Sequence, residues 1–164
     1  MPRSRLRVFT NRIMLHSYTR IFVHLVWSTK HREPLLTDEV RPRLRQHLIS
    51  NAEEKRIAID TLAVQIEHVH ALVILPSNQT VESVVRLLKG ESSHWMNSEN
   101  LAREKFSWQR GYGAFSVSLA DIGAVRTYIR NQDDHHREEP FAAEFQTTLS
   151  RHGIAENGQE TDEE

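Results

Sequence analysis

The stretch from Ile57 to Leu75, which contains the apolar run Leu62 to Leu75, limits the fold more than any other part of the chain. It is too long for one ordinary strand, and Pro76-Ser77-Asn78 closes it with turn-forming residues. It reads as two strands, Ile57 to Ile66 and His68 to Leu75, folded back on each other with Glu67 at the turn. Side chains alternate faces along a strand, so His68 and His70 project from the same side. Two imidazoles placed so can hold one side of a divalent metal ion. A lone His-x-His on a strand is more commonly a partly buried polar pair. The motif therefore acquires chemistry only if a second element brings further groups to it.

The flanking segments supply a frame for that hairpin. Tyr18 to Ser28 is rich in β-branched and aromatic residues and reads as a strand; Lys30 to Pro34 turns out of it. Thr37 is placed to cap a helix with Asp38 and Glu39 in its first turn, and Val40, Leu44, Leu48 and Ala52 form the apolar stripe. Thr80 opens a second helix with the stripe Val81, Val84, Val85 and Leu88, which Gly90 is expected to interrupt. Trp108 to Val117 is the last strand, its glycines marking a bulge or close backbone approach. Ser118 to Asp121 fits a capping box for a third helix running to about His136, and Phe141 and Phe145 dock a short terminal helix. Strand, helix, strand, strand, helix, strand is the order of a ferredoxin-like split βαβ sandwich. The expected class is α+β, an antiparallel sheet with helices on one face, plus one extra C-terminal helix.

Composition narrows the class of function without choosing it. The 164 residues suffice for one domain with a real core. There is no cysteine, which excludes disulfides and thiolate metal sites and fits a reducing cytoplasm. No apolar run approaches a membrane span, and the first residues lack the apolar core of a secretory signal, so the reading is a cytoplasmic protein with no membrane partner. The net charge is −1. Leaving out the five acids of the tail (Glu156, Glu160, Asp162, Glu163, Glu164) makes it +4. Four arginines lie before Met14, so the middle is nearly neutral and permits a DNA partner without arguing for one. Residues 1–16 read as a disordered basic extension, with Met14 a candidate start and a phosphate-touching arm the rival reading. Residues 17–153 form the domain, and 154–164 a disordered acidic tail.

The second element is the third helix. Tyr128 and Gln132 stand four apart on one face and His136 continues the row. This row borders the core stripe Ile122, Val125 and Ile129, which is where a helix meets a cleft. Joined to His68 and His70, the groups describe phosphodiester chemistry. A cation held by neutral ligands keeps its charge to polarise a phosphate oxygen and stabilise developing negative charge. A phenol, with an ordinary pKa of about 10, is a poor nucleophile until a nearby cation lowers that value.

Taken in order, the motifs His24-Leu-Val-Trp-Ser-Thr-Lys30, His68-Val-His70, Leu88-Lys-Gly-Glu-Ser-Ser93, Trp108-Gln-Arg-Gly-Tyr-Gly-Ala-Phe-Ser-Val117, Tyr128-Ile-Arg-Asn-Gln132 and His135-His-Arg137 resemble the single-tyrosine HUH transposases. These belong to the smallest bacterial insertion sequences, the "IS-two-hundred" type, and to domesticated relatives associated with repetitive extragenic palindromes. The resemblance spans Ser17 to about Gly153. It implies that His68 and His70 ligate Mg²⁺ or Mn²⁺ with Gln132 as third ligand, and that Tyr128 is the nucleophile forming a 5′-phosphotyrosine with a free 3′ hydroxyl. It further implies a hairpin-bearing single-stranded DNA substrate, a homodimer that can share active sites, and a place at the nucleoid when DNA is bound. The Pro-Asp usual before the motif is here Ile66-Glu67, which alters the turn and leaves the ligands intact.

Two other readings stay open from the residues alone. One is a zinc hydrolase in which His68, His70 and either His135 or His136 activate water; the other is a ferredoxin-like nucleic-acid-binding module without chemistry. Tyr18 and Tyr112 are competing phenols, each read as structural. Lys30, Arg32, Arg86, Lys89 and Arg110 are candidate phosphate contacts against a default of solvated surface charge. Trp95 and Trp108 could stack on bases, with core packing the favoured reading; His136 is a candidate auxiliary residue.

Overall fold

The computed structural model describes residues 18–155, with only the backbone of His135 and His136. The basic extension, most of the acidic tail and the auxiliary role expected of the His136 side chain fall outside the described residues.

Four strands form one antiparallel sheet in the order β2-β3-β1-β4: β1 (Phe22–Ser28), β2 (Ala58–Val64), β3 (His68–Ile74) and β4 (Gly113–Val117). α1 (Val40–Glu54) joins β1 to β2, and α2 (Val81–Ser98) joins β3 to β4. This is the ferredoxin-like arrangement. Three further helices follow: α3 (Ile122–Arg130), α4 (Gln132–Glu138) and α5 (Phe141–Arg151).

Period-two alternation sorts the two central strands into faces. Val23, Leu25 and Trp27 of β1 and Val69, Ala71 and Val73 of β3 pack against Leu44 and Leu48 of α1 and Val84, Val85 and Leu88 of α2. On the other face Phe22 and Leu72 meet Ile122 and Ile129 of α3, and Val26 and Phe115 meet Phe141 and Leu149 of α5. Because both faces are covered, β1 is buried at every position and its sequence is apolar almost throughout rather than alternating. Leu44 and Leu48 are 0% and 1% exposed. Each such side chain contributes about 1.5–3 kcal/mol by leaving water, so the first layer is the anchor on which the second is built.

Several local expectations change. The last strand is only Gly113–Val117; Trp108 makes a single bridge to Thr29. The Lys89 ammonium holds the carbonyls of Gln109 and Gly111 at 2.8 and 2.7 Å, and Gly111 takes a positive φ of 79°, so this segment loops instead of pairing. α2 runs through Gly90 without a break, since its buried side continues to Ser92 and Met96 and its start is locked by a reciprocal Thr80–Ser83 capping box. The Thr37 carbonyl, rather than its side chain, accepts the first amides of α1. The third helix does not reach His136: Asn131 leaves helical geometry (ψ 17°), and the chain restarts as α4 at Gln132.

A β-bulge fastens α3 to the sheet. The β2–β3 register slips between Ile59 and Thr61, leaving Asp60 as the extra residue and turning it toward α3. Arg126 of α3 donates to its two oxygens at 2.7 and 2.6 Å, a bidentate pair with directional strength. The Arg126 hydrogen bonds, more than burial opposes, hold the Asp60 carboxyl below its ordinary range. An aspartate depressed below its unfolded pKa of about 3.9 adds stability that is full above about pH 4 and is lost as pH falls through the folded value. Asp60→Asn should therefore lower the urea midpoint near pH 7, and the gap to the native chain should narrow as pH falls below about 4 and close only below the depressed folded value.

Candidate active site and metal centre

The covered second face of the sheet is where the polar residues gather. β3 presents His68 and His70 there, 0% and 2% exposed, with ring centroids 5.0 Å apart at 82°. Each has a partner at Nδ1. His68 Nδ1 lies 2.7 Å from Glu67 Oε1, and His70 Nδ1 lies 2.9 Å from Nε2 of His24. His24 comes from the neighbouring strand; the register pairs Val26 with His70 and His24 with Leu72, so the two histidines are diagonal neighbours on one face. Burial, then the nearby His152, lowers the His24 pKa to about 4, and the ring is neutral at ordinary pH.

α3 supplies Tyr128, whose ring stands edge-on to His70 at 5.6 Å and to His24 at 6.2 Å. The break at Asn131 turns Gln132 fully inward, with its Oε1 3.4 Å from His68 Nε2. The four residues of the HUH reading thus meet in one place. Sequence reasoning did not include the residue at their centre. Glu144 of α5 is 6% exposed; its Oε1 accepts hydrogen bonds from the Tyr128 hydroxyl and from Gln132 Nε2, the latter at 3.0 Å, and lies 3.5 Å from His70 Nε2. Burial, with the like charge of Glu67 behind it, pushes its pKa up to about 7. A signal for it existed: Phe141, Glu144, Phe145, Thr148 and Leu149 follow helical period, so a carboxylate sat on the apolar stripe.

The donor set fits a divalent cation. One ligand atom from each of His68, His70 and Glu144 lies within 4.8 Å of the others. Glu144 Oε2 is buried with no hydrogen-bond partner among the described residues. An unanswered carboxylate oxygen beside two imidazoles and an amide oxygen is a site that lacks positive charge, and such a donor set accommodates a divalent cation.

The basic candidates divide by position. Lys30 and Arg32 lie exposed in a 3-10 turn after β1; the Arg32 guanidinium stands 5.7 Å over the Phe141 ring, whose plane stacks on His68 at 4.0 Å. His31 and Arg32 both take positive φ (55° and 54°), a strained path for residues with a Cβ. A cleft of about 550 Å³ opens here between Arg32, Glu67, Arg137 and Phe141. Arg110 is exposed in the loop before β4. Arg86 is exposed on α2, in the layer beyond the opposite face, and the Lys89 ammonium is spent on loop carbonyls. Tyr18 is 98% exposed ahead of β1 and Tyr112 is 41% exposed beside β4. Trp108 is core, with its Nε1 donating to Ser92 Oγ at 3.0 Å, and Trp95 stacks on His47.

Residues 17–132 match the family model "Transposase IS200 like". The chain belongs to the IS200-like transposases. It is 29% identical over 116 residues to the ISDra2 transposase TnpA of Deinococcus radiodurans, a match covering 68% of this chain and 83% of that one. To the transposase for insertion sequence element IS200 of Salmonella typhimurium it is 27% identical over 125 residues, covering 73% and 81%. A crystal structure of a Deinococcus radiodurans R1 protein assigned as a transposase superposes with a TM-score of 0.58 at 27% identity, over 71% of this chain and 94% of that one. The REP-associated tyrosine transposase bound to a REP hairpin has the same fold, with a TM-score of 0.56 at 20% identity over 75% and 73%. The family match of this IS200-like transposase ends at Gln132, so Tyr128 and both strand histidines fall within it and Glu144 beyond it. Among its described residues no helix is long and apolar enough to cross a membrane.

Proposed function

We propose that this transposase cuts and rejoins hairpin-bearing single-stranded DNA through a covalent bond to Tyr128. The observation that carries the reading is the convergence of the Tyr128 hydroxyl, His68, His70 and Gln132 on the buried Glu144 carboxylate. His68, His70 and Glu144, with Gln132 Oε1 beside them, would hold Mg²⁺ or Mn²⁺. When bound, the cation supplies Lewis-acid polarisation of the scissile phosphate and stabilises its developing charge.

The chain's own groups do the rest. Tyr128 donates a hydrogen bond to Glu144 Oε1, so this carboxylate is the acceptor at hand for the phenolic proton. The phenolate oxygen bonds to phosphorus in line with the departing 3′ oxygen, which leaves as a hydroxyl after taking up a proton. The 5′-phosphotyrosine ester conserves the bond energy, so a second 3′ hydroxyl can reverse the step on another end. Arg32 at the cleft mouth, with Lys30 in the same turn and Arg110 in the loop before β4, would meet backbone phosphates; Arg86 and Lys89 are weaker candidates for that role.

Tyr128→Phe should bind the hairpin as the native chain does and lose about 1–3 kcal/mol of stability, because the buried Glu144 carboxylate loses a donor, while covalent attachment falls to background on a denaturing gel with labelled single strands. An adduct persisting in the variant would move the nucleophile to Tyr18 or Tyr112. Chelation, His68→Ala or His70→Ala should likewise abolish cleavage and spare hairpin binding, which phosphate contacts dominate. Hairpin binding with no cleavage under any divalent ion would instead support a binding module.

In a homodimer α3 can dock on its own sheet or on its partner's. Packing of Ile122 and Ile129 on Phe22 and Leu72, and the Asp60–Arg126 pair, support docking at home. Mixing His68→Ala/His70→Ala chains with Tyr128→Phe chains, with subunit exchange demonstrated, should then leave cleavage dead. Recovery would mean that the helices are exchanged and the sites shared.

A further inference from the structure

A metal-binding imidazole must offer a lone pair, and which nitrogen offers it depends on what the other nitrogen holds. On this sheet each strand histidine has its Nδ1 engaged: His68 with Glu67 Oε1 at 2.7 Å and His70 with His24 Nε2 at 2.9 Å. Both Nε2 atoms point the other way, toward Gln132 Oε1 at 3.4 Å and Glu144 Oε1 at 3.5 Å. The Glu67 contact carries an evident direction, because a carboxylate can only accept from His68 Nδ1–H.

The His24 contact is the less expected one. His24 interrupts an otherwise apolar strand, 7% exposed, on the face shared with Phe22 and Val26. Its ring stacks on that of His70 with centroids 5.1 Å apart, and stands edge-on to Tyr128. A histidine buried only for packing has no need of a nitrogen-to-nitrogen hydrogen bond at 2.9 Å across two strands.

We infer that His24 is a positioning residue that accepts the Nδ1 proton of His70, as Glu67 accepts that of His68, so that both imidazoles keep the lone pair of Nε2 turned into the site. His24 then carries its own proton on Nδ1. It touches neither substrate nor the reacting atoms; it acts by fixing the tautomer and the ring angle of His70. This rests on the metal reading above for its purpose, but the tautomer itself is a property of the metal-free chain.

Long-range proton–nitrogen correlation spectra of the histidine-labelled full chain read the tautomer directly, without metal and with Mg²⁺, and calorimetry reads Mn²⁺ affinity. In the native chain both His68 and His70 should be protonated at Nδ1 in either state. In His24→Leu, His70 should lose its single tautomer and Mn²⁺ should bind about 10–100-fold more weakly. His24→Gln, which restores an acceptor oxygen near the lost Nε2, should keep both properties within about threefold of native. A His70 proton on Nε2 in the native chain overturns the inference, and that spectrum requires no variant to fold. Weaker Mn²⁺ binding with the tautomer unchanged also overturns it, by making His24 a packing residue. If the native chain binds no Mn²⁺ at all, the metal reading fails, and the tautomer alone decides this one.

Discussion

Removing a carboxylate from water costs several kcal/mol unless its charge is answered, and Glu144 is removed from water at the one point where β3, α3, α4 and α5 come together. Oε1 is answered by a phenol and an amide; Oε2 is buried without a partner among the described residues. Packing elsewhere offsets that cost. α5 is pressed onto the sheet by Phe141 and Leu149 against Val26 and Phe115, and α3 by Ile122, Ile129 and the Asp60–Arg126 pair. The apolar contacts hold the helices down and so hold the carboxylate in. A cation among His68, His70 and Glu144 would answer the remaining charge, and the same ion would make Tyr128 reactive.

The two faces of the sheet divide the labour. One is apolar along its two central strands and packs on α1 and α2. The other mixes Phe22, Val26 and Leu72 with His24, His68 and His70, so the site lies on a sheet already rigid from behind. Rigid elements position functional side chains more tightly than loops can. The bulge at Asp60 and the break at Asn131 are the two irregularities that serve this face: the first turns a carboxylate to grip α3, the second turns Gln132 inward.

Much of this was legible from local rules. The length of the apolar run demanded a hairpin, alternation put His68 and His70 together, and helical spacing joined Tyr128 to Gln132. The six-element order followed from strand and helix patterns alone. What escaped depends on contacts that no local period reports. Glu144 was not singled out because a short amphipathic helix gives no hint of which sheet face it will cover, although its place on the Phe141–Leu149 stripe marked it. Glu67 was read only as a turn residue, and His24 only as part of a motif, since both act through atoms of neighbouring side chains. The break after Arg130 escaped because Asn131-Gln132 carries no glycine or proline; burial of Gln132 decides it. The motifs that carry the resemblance stop at Arg137 and the matched family region at Gln132, so neither supplied Glu144.

The central claim is that Tyr128 makes the bond to DNA. Trypsin cuts after Arg126 and Arg130 and releases Thr127-Tyr128-Ile129-Arg130. The chain is incubated with a single-stranded hairpin substrate and Mn²⁺, digested with nuclease and trypsin, and its peptides are weighed and fragmented. The account predicts a nucleotide joined through its 5′ phosphate to that tetrapeptide, with fragmentation placing it on Tyr128. Cleaved DNA with the nucleotide on the peptide of Tyr18 or Tyr112, or cleavage with no modified peptide, would contradict it.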